Sequence, residues 1–331
     1  MARRCSFDHT CRVFPGSGTL LLLLLGAAII GFAGCSSAPD PPEAVYDTRN
    51  RASRYVEFGN AHFNDAEYDM ALRFFELALE ENTTVDNQPG IASNHNSIGR
   101  VYLAVGRSEA AESNFLRARA VAERHDAPEA LVQAHSNLAE LYLYRDETDL
   151  AAAELEKAQA VIAAEQLAAD PIVRHNLAVV QLRRGELDEA AELLRGAAEQ
   201  NEEARAWAEL ASNHYMLAAV ESRRENLQAA VAEAEAALAY DKRAENSPGI
   251  AKDLFALGSL HRRAGDSDKA YDYLQRATRV TIALNQFEET RRNLRVLTEL
   301  AREVGDEEAA REYQRQLELL NEEEEAFVST P

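Results

Sequence analysis

The sequence predicts an all-α fold, a solenoid of about seven helix pairs, and three observations carry that prediction. Small residues recur in register at Gly59, Gly99, Ala139, Ala178, Ala218 and Gly258, with Thr298 in the last copy, at steps of about 40 residues. An alanine follows each of them, at Ala71, Ala111, Ala151, Ala190, Ala230, Ala270 and Ala310, and a further alanine comes at Ala78, Ala118, Ala158, Ala197, Ala237 and Ala277, with Leu317 in the last copy. Between these positions the apolar residues keep the 3- and 4-residue spacing of amphipathic helices.

Ala92 to Ala118 holds the fullest copy. Ile98 and Tyr102 lie one turn apart on a first helix, and Gly99 and Ala111 are small enough to let two backbones approach closely. Gly106 permits the turn, and Ala111, Phe115 and Ala118 mark the buried face of a second helix. His95, Ile98-Gly99, Tyr102, Gly106, Ala111, Phe115 and Ala118 together resemble the tetratricopeptide repeat, whose signature pairs a Leu-Gly and a Tyr on the first helix with Ala, Phe and Ala on the second. The resemblance implies a right-handed superhelix whose first helices line a concave groove. Repeats of that family are usually about 34 residues long, so the extra residues here lengthen the helices.

In chain order, residues 1–34 resemble a bacterial lipoprotein signal peptide: Arg3, Arg4 and Arg12 precede the apolar run Leu20 to Ala33, which ends in Phe32-Ala33-Gly34-Cys35. By that resemblance Cys35 is the acylated first residue of the mature chain, carrying two or three chains such as palmitate. One acyl chain holds a protein only marginally at a membrane and two hold it stably. Ser36 and Ser37 after it, with no Asp, imply the outer membrane and its periplasmic face. Cys5 and Cys11 fall in the removed piece, so no disulfide is expected. Residues 35–47 form a Pro-rich tether that reaches at most roughly 35 Å over ten residues.

The solenoid spans 48–321, with pairs starting near Ala52, Ala92, Val132, Pro171, Ala211, Ala251 and Arg291. Asn87-Gln88-Pro89-Gly90, Asp126-Ala127-Pro128, Asp170-Pro171 and Asn246-Ser247-Pro248-Gly249 separate pairs, with Asp or Asn placed to cap and Pro in the first turn. Gln200 to Ala206 offers no such break, so a tighter helical corner is expected there, with Trp207 packed into it. Residues 322–331 read as an acidic tail. On the last helix, Ala310, Tyr313, Leu317 and Leu320 make an apolar stripe with no later helix to cover it.

The formal net charge is −21. Nucleic acid and anionic headgroups are therefore poor partners, since both would be repelled. No phosphate-binding Gly-rich loop, His-Glu-x-x-His, Gly-x-Ser-x-Gly or paired-cysteine site occurs, so no catalytic residue and no cofactor is assigned. His95, His135 and His214 share one repeat position, one to a repeat, too sparse to share a zinc ion; no metal is expected and the rings read as packing groups.

Arg183-Arg184, Arg223-Arg224 and Arg262-Arg263 close the fourth, fifth and sixth first helices. One reading is compensation of helix dipoles; the other is that Arg183, Arg223 and Arg263 face the groove and hold carboxylates of an acidic or extended peptide. Resemblance to peptide-binding members of the family adds Asn60, Asn96, Arg100, Tyr215 and Arg295 as lining residues, although the carboxylate-clamp pattern of the chaperone-binding members is absent. The function expected is a protein-interaction scaffold or adaptor in the cell envelope. Alternatives are an envelope component that binds a small ligand or glycan, and a pilotin-like assembly factor for a pilus or secretion system.

Overall fold

The computed structural model describes the backbone of residues 43–328 and the side chains of residues 47–320. The expected signal peptide, Cys35 and most of the tether lie outside the described residues. The described residues form fourteen helices: α1 (Glu43–Asn64), α2 (Tyr68–Thr84), α3 (Gln88–Ala104), α4 (Ser108–Arg124), α5 (Pro128–Tyr144), α6 (Thr148–Ala164), α7 (Pro171–Arg184), α8 (Leu187–Ala204), α9 (Trp207–Arg223), α10 (Leu227–Arg243), α11 (Ser247–Arg263), α12 (Ser267–Ala283), α13 (Phe287–Glu303) and α14 (Glu307–Val328). Each odd-numbered helix pairs with the even-numbered one after it, and each even-numbered helix packs on the next pair, so seven pairs stack into an all-α solenoid.

Several boundaries differ from the sequence expectation. α1 begins at Glu43, inside the expected tether, and α14 runs on to Val328 through the expected acidic tail. First helices start one turn upstream of the expected points, at Gln88, Pro128, Trp207, Ser247 and Phe287, because the small residues at 92, 132, 211 and 251 sit inside the helix and not at its entry.

One turn closes nearly every helix. A residue with left-handed backbone occurs at Ala66, Asp86, Gly106, Asp126, Asp146, Gln166, Gly185, Arg205, Glu225, Glu245, Gly265, Asn285 and Gly305, about every 20 residues. The following N–H donates to the carbonyl five residues back, as in Arg107 to Tyr102 and Glu147 to Tyr142, both 2.8 Å. This is the Schellman closure of a helix end. Nine of the thirteen use a residue with a side chain, at a conformational cost of about 1 kcal/mol each. The same turn serves within and between pairs, so the extra residues of the long repeat all go into helix: ten of the fourteen helices are 17 residues long.

Asp126 was expected as a cap, but it is the left-handed residue, with Ala127 at the cap. The stretch before Trp207, expected as a tighter corner, holds the ordinary turn with Arg205 left-handed. The irregular join lies one pair earlier. After Gln166 the chain runs on to Asp170, held extended by Pro171, and the Asp170 carboxylate accepts from the N–H of Ile172 at 2.7 Å. That detour shortens α7 to 14 residues.

The alanine columns of the second helices are the spine of the core. Ala71, Ala111, Ala151, Ala190, Ala230 and Ala270 are fully buried, as are Ala78, Ala118, Ala158, Ala197, Ala237 and Ala277. Opposite each small first-helix residue stands a second-helix residue 16 positions on, and in the first four pairs the two are matched in size. Gly59 and Gly99 receive Phe75 and Phe115 edge-on: a Cβ added at Gly99 would lie 2.4 Å from Phe115 Cε1. Ala139 and Ala178 share their clusters with the smaller Leu155 and Leu194, and Ala218 with Ala234. On α14, Ala310 is buried and Tyr313 packs against the Leu274, Leu297 and Leu300 cluster, so the upper part of the expected stripe is turned inward onto α12 and α13. Leu319 is exposed there.

The size match makes a direct test. Gly99→Ala should cost about 1–3 kcal/mol through overpacking, and adding Phe115→Leu, which rebuilds the Ala139/Leu155 combination, should recover most of it. Urea unfolding of both variants checks this; a double variant as unstable as the sum of its single changes would refute the pairing.

Candidate functional site

The first helices lie side by side and form one wall of the solenoid. Side chains that face neither their own second helix nor the preceding one reach along this wall to the next first helix. Arg100 of α3 stands 5.0 Å above the Phe63 ring of α1, His175 Nδ1 of α7 lies 2.7 Å from Asn213 Oδ1 of α9, and Arg292 of α13 stands 4.3 Å above the Phe255 ring of α11.

The expected lining residues separate into three groups on this wall. Asn60 and Arg100 are exposed at the amino-terminal end, on α1 and α3. Tyr215 and Arg295 belong to the carboxyl-terminal end, on α9 and α13; Tyr215 is half-buried and Arg295 exposed. Burial raises the Tyr215 hydroxyl, with Asp253 adding to the rise and Arg292 opposing it, which places both charges near the ring. Asn96 does not line the wall surface. It is 3% exposed, and its amide donates to the Ala130 carbonyl of α5 at 3.1 Å, tying two first helices together.

Arg183, Arg223 and Arg263 are exposed along the edge where the first helices end, each with donors committed to the preceding pair. Arg183 donates to the Leu143 carbonyl at 2.6 Å and to Asp146 at 2.7 Å. Arg223 donates to the Leu182 carbonyl at 2.5 Å, and Arg263 to the hydroxyl and carbonyl of Ser222. Each guanidinium therefore satisfies the carbonyl end of the preceding first helix, a cross-repeat form of the dipole compensation. The neighbouring arginines act as a second stitch: Arg184 reaches Asp149 at 3.2 Å and Arg224 reaches Asp188, both in the first turn of the preceding second helix. A paired arginine ending a first helix and an aspartate early in the second helix was a legible signal for this contact.

The histidines pack as expected. His135 Nδ1 lies 2.6 Å from Glu154 and His214 Nδ1 lies 2.7 Å from Glu233, each 19 residues on, and His95 meets Asn114 in the same way at 3.2 Å. Burial acts to raise the Glu154 carboxyl, but hydrogen bonds from His135 and Lys157 outweigh it and hold it at about 2. Trp207 stacks on Tyr240 with Arg243 3.7 Å above its ring. Among the described residues there is no cluster of three or more His, Cys, Asp or Glu placed to hold a metal.

Sequence reasoning missed a buried polar contact between pairs, 12 residues apart. Asn82 donates to Asn94 at 2.7 Å at the first such contact. The corresponding positions hold Asn201 and Asn213, both buried, and Thr281 and Asn293, whose amide donates to the threonine hydroxyl at 3.4 Å. Between the fifth and sixth pairs both partners are acids: Asp241 is 4% and Asp253 1% exposed. Burial, then the neighbouring Asp241, pushes the Asp253 carboxyl up to about 9, and burial also raises Asp241, which accepts a 2.8 Å bond from the Asn246 amide. Two buried carboxyls in contact cannot both ionise cheaply, so they share a proton.

Residues 51–124 and 208–283 match the tetratricopeptide repeat family model, that is, pairs one and two and pairs five and six. The unmatched stretch between them contains the irregular join at 166–170. No curated protein matches the chain in sequence. Among solved structures, the chain is similar to the Rap conjugation gene regulator of plasmid pLS20 in complex with the Phr* peptide (TM-score 0.64, 16% identity, covering 91% of this chain and 82% of that one). It is also similar to a Rap protein complexed with competence and sporulation factor (TM-score 0.62, 16% identity, 82% and 75%) and to aspartyl phosphate phosphatase F from Bacillus subtilis (TM-score 0.54, 16% identity, 84% and 72%). At these identities the likeness is one of fold, and the fold is a tetratricopeptide-like solenoid.

The acid pair sets a pH dependence. The folded-state values lie above the unfolded ones, so the stability it contributes is complete below the unfolded carboxylate range, near 4, and is lost as pH rises through about 9. Asp253→Asn, which imitates the Asn82/Asn94 contact, should leave the unfolding temperature nearly unchanged at pH 4 and raise it at pH 8. Thermal unfolding across that range decides; parallel native and variant profiles would show that the pair is not sharing a proton.

Proposed function

We propose that the chain is a membrane-anchored lipoprotein that acts as a protein-interaction scaffold in the bacterial cell envelope, held by acyl chains on Cys35 at the periplasmic face of the outer membrane. The observation that carries the scaffold reading is the wall itself: seven first helices lie side by side, with exposed polar side chains at both ends, Asn60 and Arg100 at one and Arg292 and Arg295 at the other, a surface suited to an extended partner. Two structures of the same fold are complexes, one with the Phr* peptide and the other with competence and sporulation factor, which supports the same use of the fold here. Asn60 and Arg100 at one end, Tyr215 and Arg295 at the other, and the exposed edges of Arg183, Arg223 and Arg263 along the rim are the contacts such a partner would use. The anchoring half of the proposal rests on the Phe32-Ala33-Gly34-Cys35 sequence. In mechanism, the lipid fixes the location and the wall collects the partner.

Crosslinking pull-down from envelope membranes tests both halves. The native chain should capture a defined set of proteins, and Cys35→Ala should lose most of it together with membrane attachment. Empty pull-downs from both forms would overturn the scaffold reading, and an unchanged set with Cys35→Ala would overturn the anchor. A chain with Arg183, Arg223 and Arg263 all replaced by Ala should unfold at lower temperature, since three cross-repeat bonds are lost, and should capture less partner; full capture would reduce these arginines to stitches between repeats.

A further inference from the structure

The wall is not uniform, and its carboxyl-terminal end carries charge of the opposite sign to the chain. We propose that the strip formed by Tyr215, Phe255 and Arg295, flanked by Lys252 and Arg292, is a docking site for an extended acidic peptide segment with aromatic side chains, supplied by a partner protein; this rests on the scaffold reading and names its ligand class.

The strip follows from repeat register. Tyr215, Phe255 and Arg295 occupy the same position on α9, α11 and α13, 40 residues apart, and Lys252 and Arg292 share another position one turn earlier on α11 and α13. Two adjacent columns on three neighbouring helices make a continuous band. Arg292 lies over Phe255, and both Asp253 and Arg292 act on the Tyr215 hydroxyl through their charge. Lys252, Arg292 and Arg295 are exposed, while Tyr215 and Phe255 are half-buried.

These three cations lie on adjacent first helices without a carboxylate partner among the described residues, and Arg292 has an aromatic ring in its place. In a chain with 56 acidic and 35 basic residues, a cation finds a carboxylate easily, and several arginines of the same region have done so. Arg262 is fastened to Glu299 and Glu303, Arg276 to Asp272, and Arg224 to Asp188 and Glu221. Among the described residues no carboxylate lies within ion-pair distance of Lys252, Arg292 or Arg295. Holding three unpaired cations together has a repulsive cost that an anionic ligand removes. A cleft of about 400 Å³ opens beside them, between α11 and α13, lined by Ser259, Arg262, Arg263, Val296 and Glu303, and gives the segment room to continue along the wall. Aromatic side chains on the ligand would stack on Phe255 and Tyr215 and on the guanidinium of Arg292. The acidic remainder of the surface repels the same ligand elsewhere and so directs it to this end.

The test is fluorescence anisotropy of the purified full chain with three labelled ten-residue peptides, alternating Glu-Tyr, Ser-Tyr and Lys-Tyr. The Glu-Tyr peptide should bind at least tenfold more tightly than the other two, and more weakly as salt is raised. Arg292→Glu with Arg295→Glu should lower its affinity at least tenfold, whereas Arg107→Glu with Arg124→Glu, exposed in the second pair, should leave it unchanged. Should the first reversal disturb folding, Arg292→Gln with Arg295→Gln gives the same reading. Equal binding of the acidic and neutral peptides, no binding of any, or binding indifferent to the reversal would each overturn the strip. An envelope pull-down separates the readings: capture equally strong with native and Arg292→Glu/Arg295→Glu chains keeps the scaffold and removes the strip, while an empty native pull-down removes the scaffold itself.

Discussion

Everything in this array depends on how closely two helices of a pair can approach. The approach is set at one position per repeat, where Gly59, Gly99, Ala139, Ala178, Ala218 or Gly258 meets a residue 16 positions later. Where the first residue is Gly at 59 or 99, a phenylalanine ring fills the space that a Cβ would take, and where it is Ala at 139 or 178, a leucine does. In these four pairs the larger side chain faces the smaller first-helix residue, whereas Ala218 with Ala234 and Gly258 with Leu274 make smaller combinations. Interiors pack at near-crystalline density, and one misplaced methyl group is felt. A solenoid amplifies this, because an altered distance in one pair would change the surface on which the next pair must stack.

Stacking of pair on pair is held differently, by polar groups. The paired arginines at the ends of the fourth and fifth first helices reach back to a carbonyl of the preceding first helix and a carboxylate of the preceding second helix. Exposed ion pairs of this kind contribute little stability each, but they fix direction: a guanidinium bonded to two helices constrains their relative rotation. Inside the interface the Asn82/Asn94 type of contact does the same in a dry setting, where an unmatched polar group is expensive and register is therefore specified. Between the fifth and sixth pairs this contact is made by two acids, which turns a register device into a titratable one.

The fold was legible because its signals are periodic. Seven copies of the small-residue position and seven of the second-helix alanine announce both helices and their contact, and the helix pairs stand where the spacing puts them. What was not legible was the turn. Nine left-handed positions are held by residues other than glycine, and five of them, Ala66, Gln166, Arg205, Glu225 and Glu245, lack even the tolerance of Asp and Asn for that backbone, because the Schellman hydrogen bonds and the packing of two long helices decide the conformation. For the same reason the join before Trp207, lacking Gly and Pro, looked irregular and is ordinary, while the irregular join at 166–170 was disguised by a well-formed Asp-Pro start. On the wall, Arg295 and Tyr215 were expected as lining residues from the resemblance to peptide-binding repeats, and both lie on first helices there. Asn96 has the same register but is buried, since the Ala130 carbonyl one helix away claims its amide, and sequence carries no trace of that neighbour.

Charge ties these levels together. An acidic surface keeps a long helical array soluble and separate from other chains, and it makes each cation's surroundings informative. The paired arginines that close first helices are spent on helix-end carbonyls or on carboxylates across the repeat boundary. The contrast lies where the first-helix columns place two cations one turn apart on α13 and a third on α11, with aromatic rings in place of carboxylates between them. Glutamate at 255 or 215 would have neutralised the band without disturbing the helices. An aromatic residue at both positions leaves the positive charge in place and supplies a stacking surface under it, which is the arrangement a negatively charged extended ligand needs and a merely stable solenoid does not.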